Sequence, residues 1–343
     1  MHRIGLIGCG WFAPFHLKAI SQLDDRVHLI WVADPKTDNA SRIGKETGAR
    51  VLSDYKSGLK DVDSVIIIVP HNLHHLITID CLKAGKNVLL EKPLANTLAE
   101  ADEMIATADR AKLTLMVAYP HRYRKSMQKF KQLIEMGHYG SLITLDGLMD
   151  ESLQGYALDW LSKRDTLGGG VYFSSSPHML DVMLWIAGPV RFVSMVGTRG
   201  GIAMEGEDTA ASIIKFKSGV IGITRHTWAS PKSNIWYTMR AQCQKAWLTL
   251  TTTPDGDLFK QGASCLWKTQ ITKLDKENET VIYESDEGLD LKPEISHFLD
   301  CVETGATPQT DGRKARQLIE MIQFAYRQAE SSGANVQPTN EMN

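Results

Sequence analysis

IGLIGCGWFA, residues 4–13, joins a short apolar strand to a glycine-rich turn. Its second part, GCGWFA at residues 8–13, fits the relaxed pattern G-x-G-x-x-G/A that follows the first strand of dinucleotide-binding folds. In that pattern Gly8 permits the tight turn, Gly10 lets the backbone approach a pyrophosphate, and the N-terminus of the next helix faces the phosphates. Trp11 and Phe12 complete the turn, so we expect these four residues to contact a dinucleotide.

Asp34 stands at the end of the second predicted strand, His28–Ala33. A carboxylate at this point accepts hydrogen bonds from the ribose 2′- and 3′-hydroxyls and repels a 2′-phosphate. Taken alone, Asp34 would also suit a turn before Pro35. In the order strand, glycine turn, helix, strand and acidic residue, it predicts a Rossmann domain that binds NAD in preference to NADP.

The first third of the chain alternates strands with helices. Apolar strands are predicted at Ile4–Ile7, His28–Ala33, Ser64–Val69, Asn87–Leu90 and Leu113–Ala118, with helices between them. Unbroken apolar strands that alternate with helices are typical of a parallel sheet covered on both faces. We therefore assign residues 1–120 to a dinucleotide-binding α/β domain.

Beyond residue 120 the pattern indicates an α+β domain. Its predicted helices are Lys125–Glu135, Val171–Ile186, Pro293–Thr304 and Asp311–Ser331, and its strands are Leu142–Leu148, Arg191–Thr198, Thr209–Phe216, Val220–Thr227, Ile235–Ala241 and Ala246–Thr251. Short polar turns such as Lys217-Ser218-Gly219 favour antiparallel pairing. We assign residues 121–335 to substrate binding and oligomerisation on a large, mostly antiparallel open sheet, and residues 336–343 to a polar tail.

Composition and charge argue against several classes of function. The formal net charge is −2 and no basic block stands out, so neither nucleic acid nor an anionic membrane is an expected partner. No apolar run approaches the roughly 20 residues that span a bilayer, and the first strand begins too early for a signal peptide. The five cysteines lack disulfide or zinc spacing. We expect no metal site and a cytoplasmic protein.

Two motifs follow predicted strands at the edge where this fold binds ligands. Pro70 and His74 lie in the loop PHNLH after the third strand, and Glu91-Lys92-Pro93 follows Asn87–Leu90. An ammonium at this edge can bind a substrate oxygen and ease the loss of its proton. The alternatives are a polar loop whose histidines cap the next helix and an ordinary solvated lysine.

A triple glycine at residues 168–170 leads into a predicted helix that carries Ser174, His178 and Asp181. The spacings of four and three residues place these side chains on one helix face. Imidazole titrates near neutral pH, so His178 is a candidate proton acceptor for an alcohol undergoing oxidation. The alternative is a structural histidine in the core.

Taken in order, these motifs resemble the glucose–fructose oxidoreductase/inositol dehydrogenase (Gfo/Idh/MocA) family. The resemblance extends over nearly the whole chain and rests on GCGW at 8–11, Asp34, VPHNLHH at 69–75, AGKNVLLEKPLA at 84–95, AYPHRYRKS at 118–126, GGG…H..D at 168–181, GEDTA at 206–210 and E..HFLDCVETG from Glu294. It implies a Rossmann domain, a second domain with a large open sheet, frequent dimers or tetramers, and NAD(P)-dependent chemistry on sugars or cyclitols.

The resemblance also implies roles for individual residues. Lys92 matches the family's catalytic lysine and His178 its usual proton-transfer residue, while Gly8, Gly10, Asp34, Pro70, His74 and Glu91 match cofactor contacts. Many sugar dehydrogenases of the family carry aspartate where this chain has Ser174. We expect the substrate pocket to be lined by Arg122, Tyr123, Tyr156, Trp160, Ser174 and Asp181, since aromatic faces and polar groups suit a polyol.

The expected activity is hydride transfer between nicotinamide and a carbinol or keto carbon of a sugar, sugar derivative or cyclitol. Two alternatives remain open at this point. One is a glycosidase or lyase that retains NAD and acts through a transient keto sugar, and the other is a non-catalytic NAD-binding regulatory protein. Apolar residues on both faces of strands such as Val220–Ile223 further predict a homodimer or homotetramer.

Overall fold

The computed structural model describes residues 1–155, 159–232, 236–255, 266–286 and 288–331. The chain divides into two compact units, one made of Met1–Pro120 with Asp290–Ile319 and the other of His121–Leu289 with the residues from Glu320 onward. The division after Pro120 lies where the sequence pattern changes.

The first unit is built on a parallel sheet. Within the described residues it has six strands, β1 (His2–Ile7), β2 (Val27–Ala33), β3 (Arg50–Leu52), β4 (Ser64–Ile67), β5 (Asn87–Glu91) and β6 (Leu115–Ala118), in the order β3-β2-β1-β4-β5-β6. Its connections include α1 (Ala13–Ser21), α2 (Thr37–Thr47), α3 (His74–Lys83) and α4 (Leu98–Ala111). Every residue of β4 and β6 is buried, as a sheet covered on both faces requires. The predicted Rossmann sheet is confirmed, with β3 as an additional edge strand.

Residues 290–319 belong to this first unit, whereas the sequence placed them in the second domain. Helix α9 (Lys292–Thr304) packs against α1 and β5, and the backbone N–H of Val117 in β6 donates to the carbonyl of Thr310 at 2.9 Å. Arg26 adds ion pairs to Asp300 and Glu303 at 2.8 and 2.9 Å. These contacts join segments far apart in the chain, so local patterns do not reveal them.

The second unit is built on a mostly antiparallel sheet. In the described part of the chain it has eight strands, β7 (Leu142–Asp150), β8 (Val190–Thr198), β9 (Thr209–Phe216), β10 (Ile221–Thr227), β11 (Tyr237–Cys243), β12 (Trp247–Asp255), β13 (Leu266–Leu274) and β14 (Glu279–Asp286). The order is β14-β13-β12-β11-β7-β10-β9-β8, and of these pairs β7 with β10 is parallel. The predicted sheet is confirmed, and β13 and β14 extend it beyond the predicted strands.

Helices of the second unit cover one face of its sheet. Helix α5 (Lys125–Glu135) contacts β12, β13 and β14, while α7 (Val171–Ser174) and α8 (Ser176–Ala187) contact β7, β9 and β10. A short helix, α6 (Arg164–Leu167), precedes them, and the part of α10 (Gly312–Ser331) from Glu320 onward also belongs to this unit. No helix among the described residues is long and apolar enough to cross a membrane.

The predicted helix Val171–Ile186 is divided in two at Ser175. Pro177, in the first turn of α8, has no N–H to donate to the carbonyl four residues earlier, and its ring crowds that turn. Ser174 therefore ends α7, while His178 and Asp181 lie in α8. The expectation that Ser174 shares one continuous helix with His178 was wrong.

Candidate functional site

The turn between β1 and α1 has the backbone that a dinucleotide site requires. Gly8 has a φ of +97°, and a Cβ atom there would lie 1.9 Å from the carbonyl oxygen of Ile68. This close approach excludes any side chain at position 8. A Cβ built at Gly10 would meet no atom within 4 Å, so that part of the turn is open to a ligand. Ala13, fully buried, begins α1 directly behind it.

Both carboxylate oxygens of Asp34 accept backbone hydrogen bonds, one of them from the glycine-rich turn. Oδ2 accepts a hydrogen bond from the backbone N–H of Cys9 at 2.8 Å, and Oδ1 accepts one from the N–H of Lys36 at 2.8 Å. The carboxylate is thus held at the end of β2, and each oxygen retains a lone pair for a hydroxyl donor.

Three aromatic rings cluster at the start of α1. The Trp11 ring lies 5.3 Å from that of Phe12 and 6.5 Å from that of Phe15, and its side chain is 42% exposed. A large indole that stays this exposed beside an open turn offers an apolar surface to a bound ligand.

Lys92 follows β5 directly, and its backbone is held by the preceding residue. The Glu91 carboxylate accepts from the backbone N–H of Lys92 through Oε2 at 3.3 Å, and its Oε1 lies 2.8 Å from Nε2 of His16 in α1. His16 and Glu91 are both buried. A buried hydrogen-bonded pair of this kind fixes the start of the Lys92 turn to the helix that follows the glycine turn.

His74 holds the other side of the same turn. Its Nδ1 lies 2.7 Å from the carbonyl oxygen of Pro93 and its Nε2 lies 3.0 Å from that of Val69. Burial lowers the pKa of His74, while the hydrogen bonds to the two carbonyls oppose that shift. The ring is fully buried. It therefore positions the loops around Lys92 and half-buried Pro70 instead of presenting itself to a ligand.

In the second unit, His178 lies in the first turns of α8 and is partly exposed. Its backbone N–H donates to the carbonyl of Ser175 at 3.2 Å. Its ring meets that of buried His121 edge-on, with the centroids 5.2 Å apart and the planes at 89°. The His121 ring also contacts those of Trp236 and Tyr237, at 5.5 and 4.8 Å.

Arg122 and Asp181, both predicted to bind substrate, bind each other. Nε and one terminal nitrogen of the guanidinium donate to the two carboxylate oxygens at 2.6 and 2.7 Å. Both side chains are buried, and the guanidinium lies 5.5 Å from the centre of the Trp185 ring. Since this bidentate geometry engages both oxygens of Asp181, the pair anchors α8 one turn beyond His178.

The other predicted pocket residues differ in how far they are buried. Tyr123 and Ser174 are buried, and Trp160 is partly exposed in a short 3-10 turn at Asp159–Ser162. Tyr156 lies outside the described residues.

Glu151 is a buried acidic residue that sequence reasoning missed. It follows β7, and three side chains in the described ranges donate to its carboxylate: the Ser175 hydroxyl and the Trp228 indole to Oε2, both at 2.9 Å, and the Trp236 indole to Oε1 at 3.2 Å. The sequence shows only an acidic residue after a strand, and its donors lie 24, 77 and 85 residues away.

Glu207, from the GEDTA segment, explains the triple glycine. Its carboxylate accepts from the backbone N–H of Tyr172 at 3.0 Å and from the hydroxyl of Tyr326 at 2.6 Å, while its backbone carbonyl accepts from Val171. A Cβ on Gly170 would lie 2.3 Å from that carbonyl oxygen, so only glycine permits this approach. Burial raises the pKa of Glu207. The acidic side chain thus caps the start of α7.

No cluster of three or more histidine, cysteine, aspartate or glutamate side chains that could hold a metal ion is found among the described residues.

Comparison with known families assigns both parts of the chain. Residues 2–119 match the GFO_IDH_MocA oxidoreductase family with an NAD-binding Rossmann fold, and residues 127–249 match the C-terminal domain of the same family.

Individual relatives share moderate sequence identity with the chain. It is 28% identical to a myo-inositol 2-dehydrogenase from Thermotoga maritima over 64% of this chain and 67% of that protein. It is 23% identical to a D-apiose dehydrogenase from Paraburkholderia graminis over 94% of this chain and 86% of that protein. Among solved structures, the WlbA dehydrogenase from Bordetella pertussis, in complex with NADH and UDP-GlcNAcA, shares the fold with a TM-score of 0.80 and 24% identity, covering 96% of this chain and 97% of that one.

The matches differ in the share of each protein that they cover. The alignments with the first three curated relatives take in 67%, 56% and 56% of those proteins. The two family matches together include well over half of the chain and reach both of its units. The chain therefore belongs to the GFO/IDH/MocA family of oxidoreductases and carries that family's NAD-binding Rossmann domain.

Proposed function

We propose that this chain is an NAD-dependent oxidoreductase that interconverts a carbinol and a keto carbon of a sugar, sugar derivative or cyclitol. The observation that carries the proposal is the placement of Lys92. It follows β5 at the carboxyl edge of the sheet whose β1–α1 turn is open at Gly10, and His16, Glu91 and His74 hold its surroundings. In parallel sheets this edge is where ligands bind.

The residues of the first unit fit a bound dinucleotide. The open backbone at Gly10 suits a pyrophosphate, and the anchored Asp34 suits the ribose hydroxyls. When bound, NAD would supply the acceptor for the hydride. We propose that NAD is preferred to NADP, because a 2′-phosphate would meet the Asp34 carboxylate.

The proposed chemistry divides one oxidation between two side chains. With NAD bound as the hydride acceptor, the imidazole of His178 would take the O–H proton of the carbinol while its carbon is oxidised to a carbonyl. Lys92 stabilises the negative charge that develops on that oxygen. In the reverse direction His178 returns the proton. The names of the myo-inositol and D-apiose relatives support a polyol as the substrate class.

The pocket residues take different parts in this proposal. Trp160 offers a partly exposed aromatic face to a sugar ring, and Ser174 one hydroxyl group. For Arg122 and Asp181 we propose a supporting role, because each engages the other in the buried bidentate pair. Tyr123 and Tyr156 are proposed as further pocket residues.

Two further properties are proposed with this function. The exposed apolar residues of the second unit's sheet support a homodimer or homotetramer. In the described residues Cys9, Cys81, Cys243 and Cys301 are free, buried thiols, which supports a reducing, cytoplasmic compartment.

Alanine substitution at the two proposed catalytic residues tests the function. A panel of sugars, glycosides and cyclitols is assayed with NAD and NADP through the absorbance of the reduced nicotinamide. On the best substrate, Lys92→Ala and His178→Ala should each lower kcat by roughly 10²- to 10⁴-fold while NAD still binds. Lys83→Ala and His28→Ala, at exposed positions in the same chain, are the matched controls.

The same assay separates the competing functions. Full activity in His178→Ala or Lys92→Ala would remove that residue from the mechanism. Turnover of a glycoside without net change in reduced nicotinamide would instead select an NAD-retaining glycosidase or lyase. NAD binding without turnover of any member of the panel would favour a regulatory protein.

A further inference from the structure

Glu151 occupies a buried position that the proposed chemistry does not use. Its side chain lies between the end of β7, the start of α8 and the two indoles of Trp228 and Trp236, and it is 6% exposed. A carboxylate removed from water requires strong hydrogen bonds to remain there. Two indole N–H groups and one hydroxyl supply them, all three from neutral side chains.

One route leads from this carboxylate to His178 through the backbone. Ser175 donates its hydroxyl to Glu151 and accepts, through its carbonyl oxygen, the backbone N–H of His178 at 3.2 Å. Ser175 also separates α7 from α8, where Pro177 interrupts the helical hydrogen bonds. The hydrogen bond from Ser175 to Glu151 therefore holds the start of α8 where backbone hydrogen bonds of the helix are missing.

A second route leads to the imidazole through a series of ring contacts. Trp236 donates its indole N–H to Glu151, and its ring contacts that of His121, which meets the His178 ring edge-on. Since aromatic pairs have preferred geometries, the orientation of Trp236 limits that of His121 and hence that of His178. The two routes reach opposite parts of the same residue, its backbone and its ring.

We propose that Glu151 is a positioning residue that sets the place and ring orientation of His178. This inference rests on the proposed function, in which His178 transfers the substrate proton. In this chain Glu151 supplies a carboxylate from the end of β7 and acts on the histidine through Ser175 and Trp236.

A double-mutant cycle between Glu151→Gln and His178→Ala tests the proposal on the NAD-bound enzyme. Glutamine has nearly the same shape but puts an amide N–H₂ where the carboxylate accepts from two indole N–H groups and a hydroxyl. Because small errors in the place of a catalytic group are costly, Glu151→Gln should lower kcat on the order of 10- to 100-fold with little change in the dissociation constant of NAD. In the His178→Ala background the same substitution should have almost no further effect. Glu284→Gln, at an exposed glutamate of β14, is the control.

The outcomes separate this proposal from the proposed function. Equal losses from Glu151→Gln in both backgrounds, or no loss at all, would overturn the positioning role while leaving His178 as the proton-transfer residue. Full activity of His178→Ala would overturn the proposed function itself.

A second variant and a second readout cover the case in which Glu151→Gln folds poorly. Ser175→Ala removes only the hydroxyl that joins α8 to Glu151. It should lower kcat when His178 is present and have almost no further effect on kcat in the His178→Ala background. Independently of activity, the imidazole proton signal of His178, assigned by its loss in His178→Ala, should shift in Ser175→Ala and in Glu151→Gln. An unchanged signal in both variants would contradict the proposal.

Discussion

Ser174 lies at the end of α7 and His178 is the third residue of α8, in its first turn, so the two side chains belong to different helices. Serine has no charge with which to pair an imidazolium, and its hydroxyl offers one modest hydrogen bond of about 1 kcal/mol. We therefore predict that Ser174→Ala lowers kcat/KM by roughly tenfold or less, a much smaller loss than that in His178→Ala. The measurement is kcat/KM of both variants on the best substrate of the panel. A loss in Ser174→Ala as large as that in His178→Ala would place the serine in the proton-transfer machinery.

Asp34 gives the second prediction at the scale of a single residue. Its two oxygens are held by the backbone of Cys9 and Lys36, so the carboxylate cannot turn away from a 2′-phosphate without losing both hydrogen bonds. We expect kcat/KM with NAD to exceed that with NADP by at least about tenfold, the ratio that about 1.4 kcal/mol produces. Asp34→Ala should narrow the ratio, whereas the exposed Asp38→Ala should not. Equal efficiency with both cofactors in the unaltered enzyme would refute the preference.

At the scale of elements, Glu207 joins α7 to the segment before β9 and to α10. Burial raises its pKa above the usual 4.5, so the folded state binds this proton more tightly than the unfolded state does. Its contribution to the free energy of unfolding is therefore lost as pH rises from the unfolded pKa through the folded one. Glu207→Gln keeps an acceptor without the charge, so we expect it to gain stability relative to the unaltered protein across this rise in pH.

Urea unfolding at a series of pH values measures this difference. Glu207→Ala leaves the Tyr172 N–H and the Tyr326 hydroxyl without their acceptor, and should lose about 1–3 kcal/mol throughout. Glu205 is the matched control, because its pKa shifts in the opposite direction. Hydrogen bonds from the backbone of Arg164 and the side chain of Lys163 lower it. Glu205→Gln should therefore lose stability relative to the unaltered protein as pH rises. Identical pH profiles for Glu207→Gln and the unaltered protein would contradict the argument.

At the scale of the whole molecule, the sheet of the second unit has an apolar face that its own helices do not cover. Residues on β8, β9 and β10 that alternate with buried ones are between 41% and 60% exposed: Val196, Ile213, Ile221 and Ile223. Ile213 and Ile223 are direct cross-strand partners. A contiguous surface of this kind in a globular protein is typical of a subunit interface.

We predict a homodimer or homotetramer that uses this face. Light scattering should give a multiple of the 38.2 kDa chain mass, and Ile213→Asp should shift the protein toward the monomer. Leu76→Asp, at an exposed leucine of α3 in the first unit, should leave the mass unchanged. A monomer mass that does not depend on concentration would rule out the interface.

The sequence by itself determined the features that depend on neighbouring residues. Apolar strands alternating with helices predicted the parallel sheet, GCGWFA predicted a tight turn at Gly8, and the spacing to Asp34 predicted a carboxylate at the end of β2. Each follows from local sterics and periodicity, which a short window contains. The strands β13 and β14 were missed because lysine, threonine and glutamate interrupt their apolar residues.

Only the tertiary structure decided which polar side chains meet. Arg122 and Asp181 are 59 residues apart in the chain, and Glu151 and Trp236 are 85 apart. Their contacts depend on strand register and on how helices pack, which no local pattern specifies. For the same reason the sequence predicted Asp181 as a substrate contact and did not single out Glu151. Residue type and spacing identify groups that can perform chemistry, whereas long-range packing determines which of them remain available to a ligand.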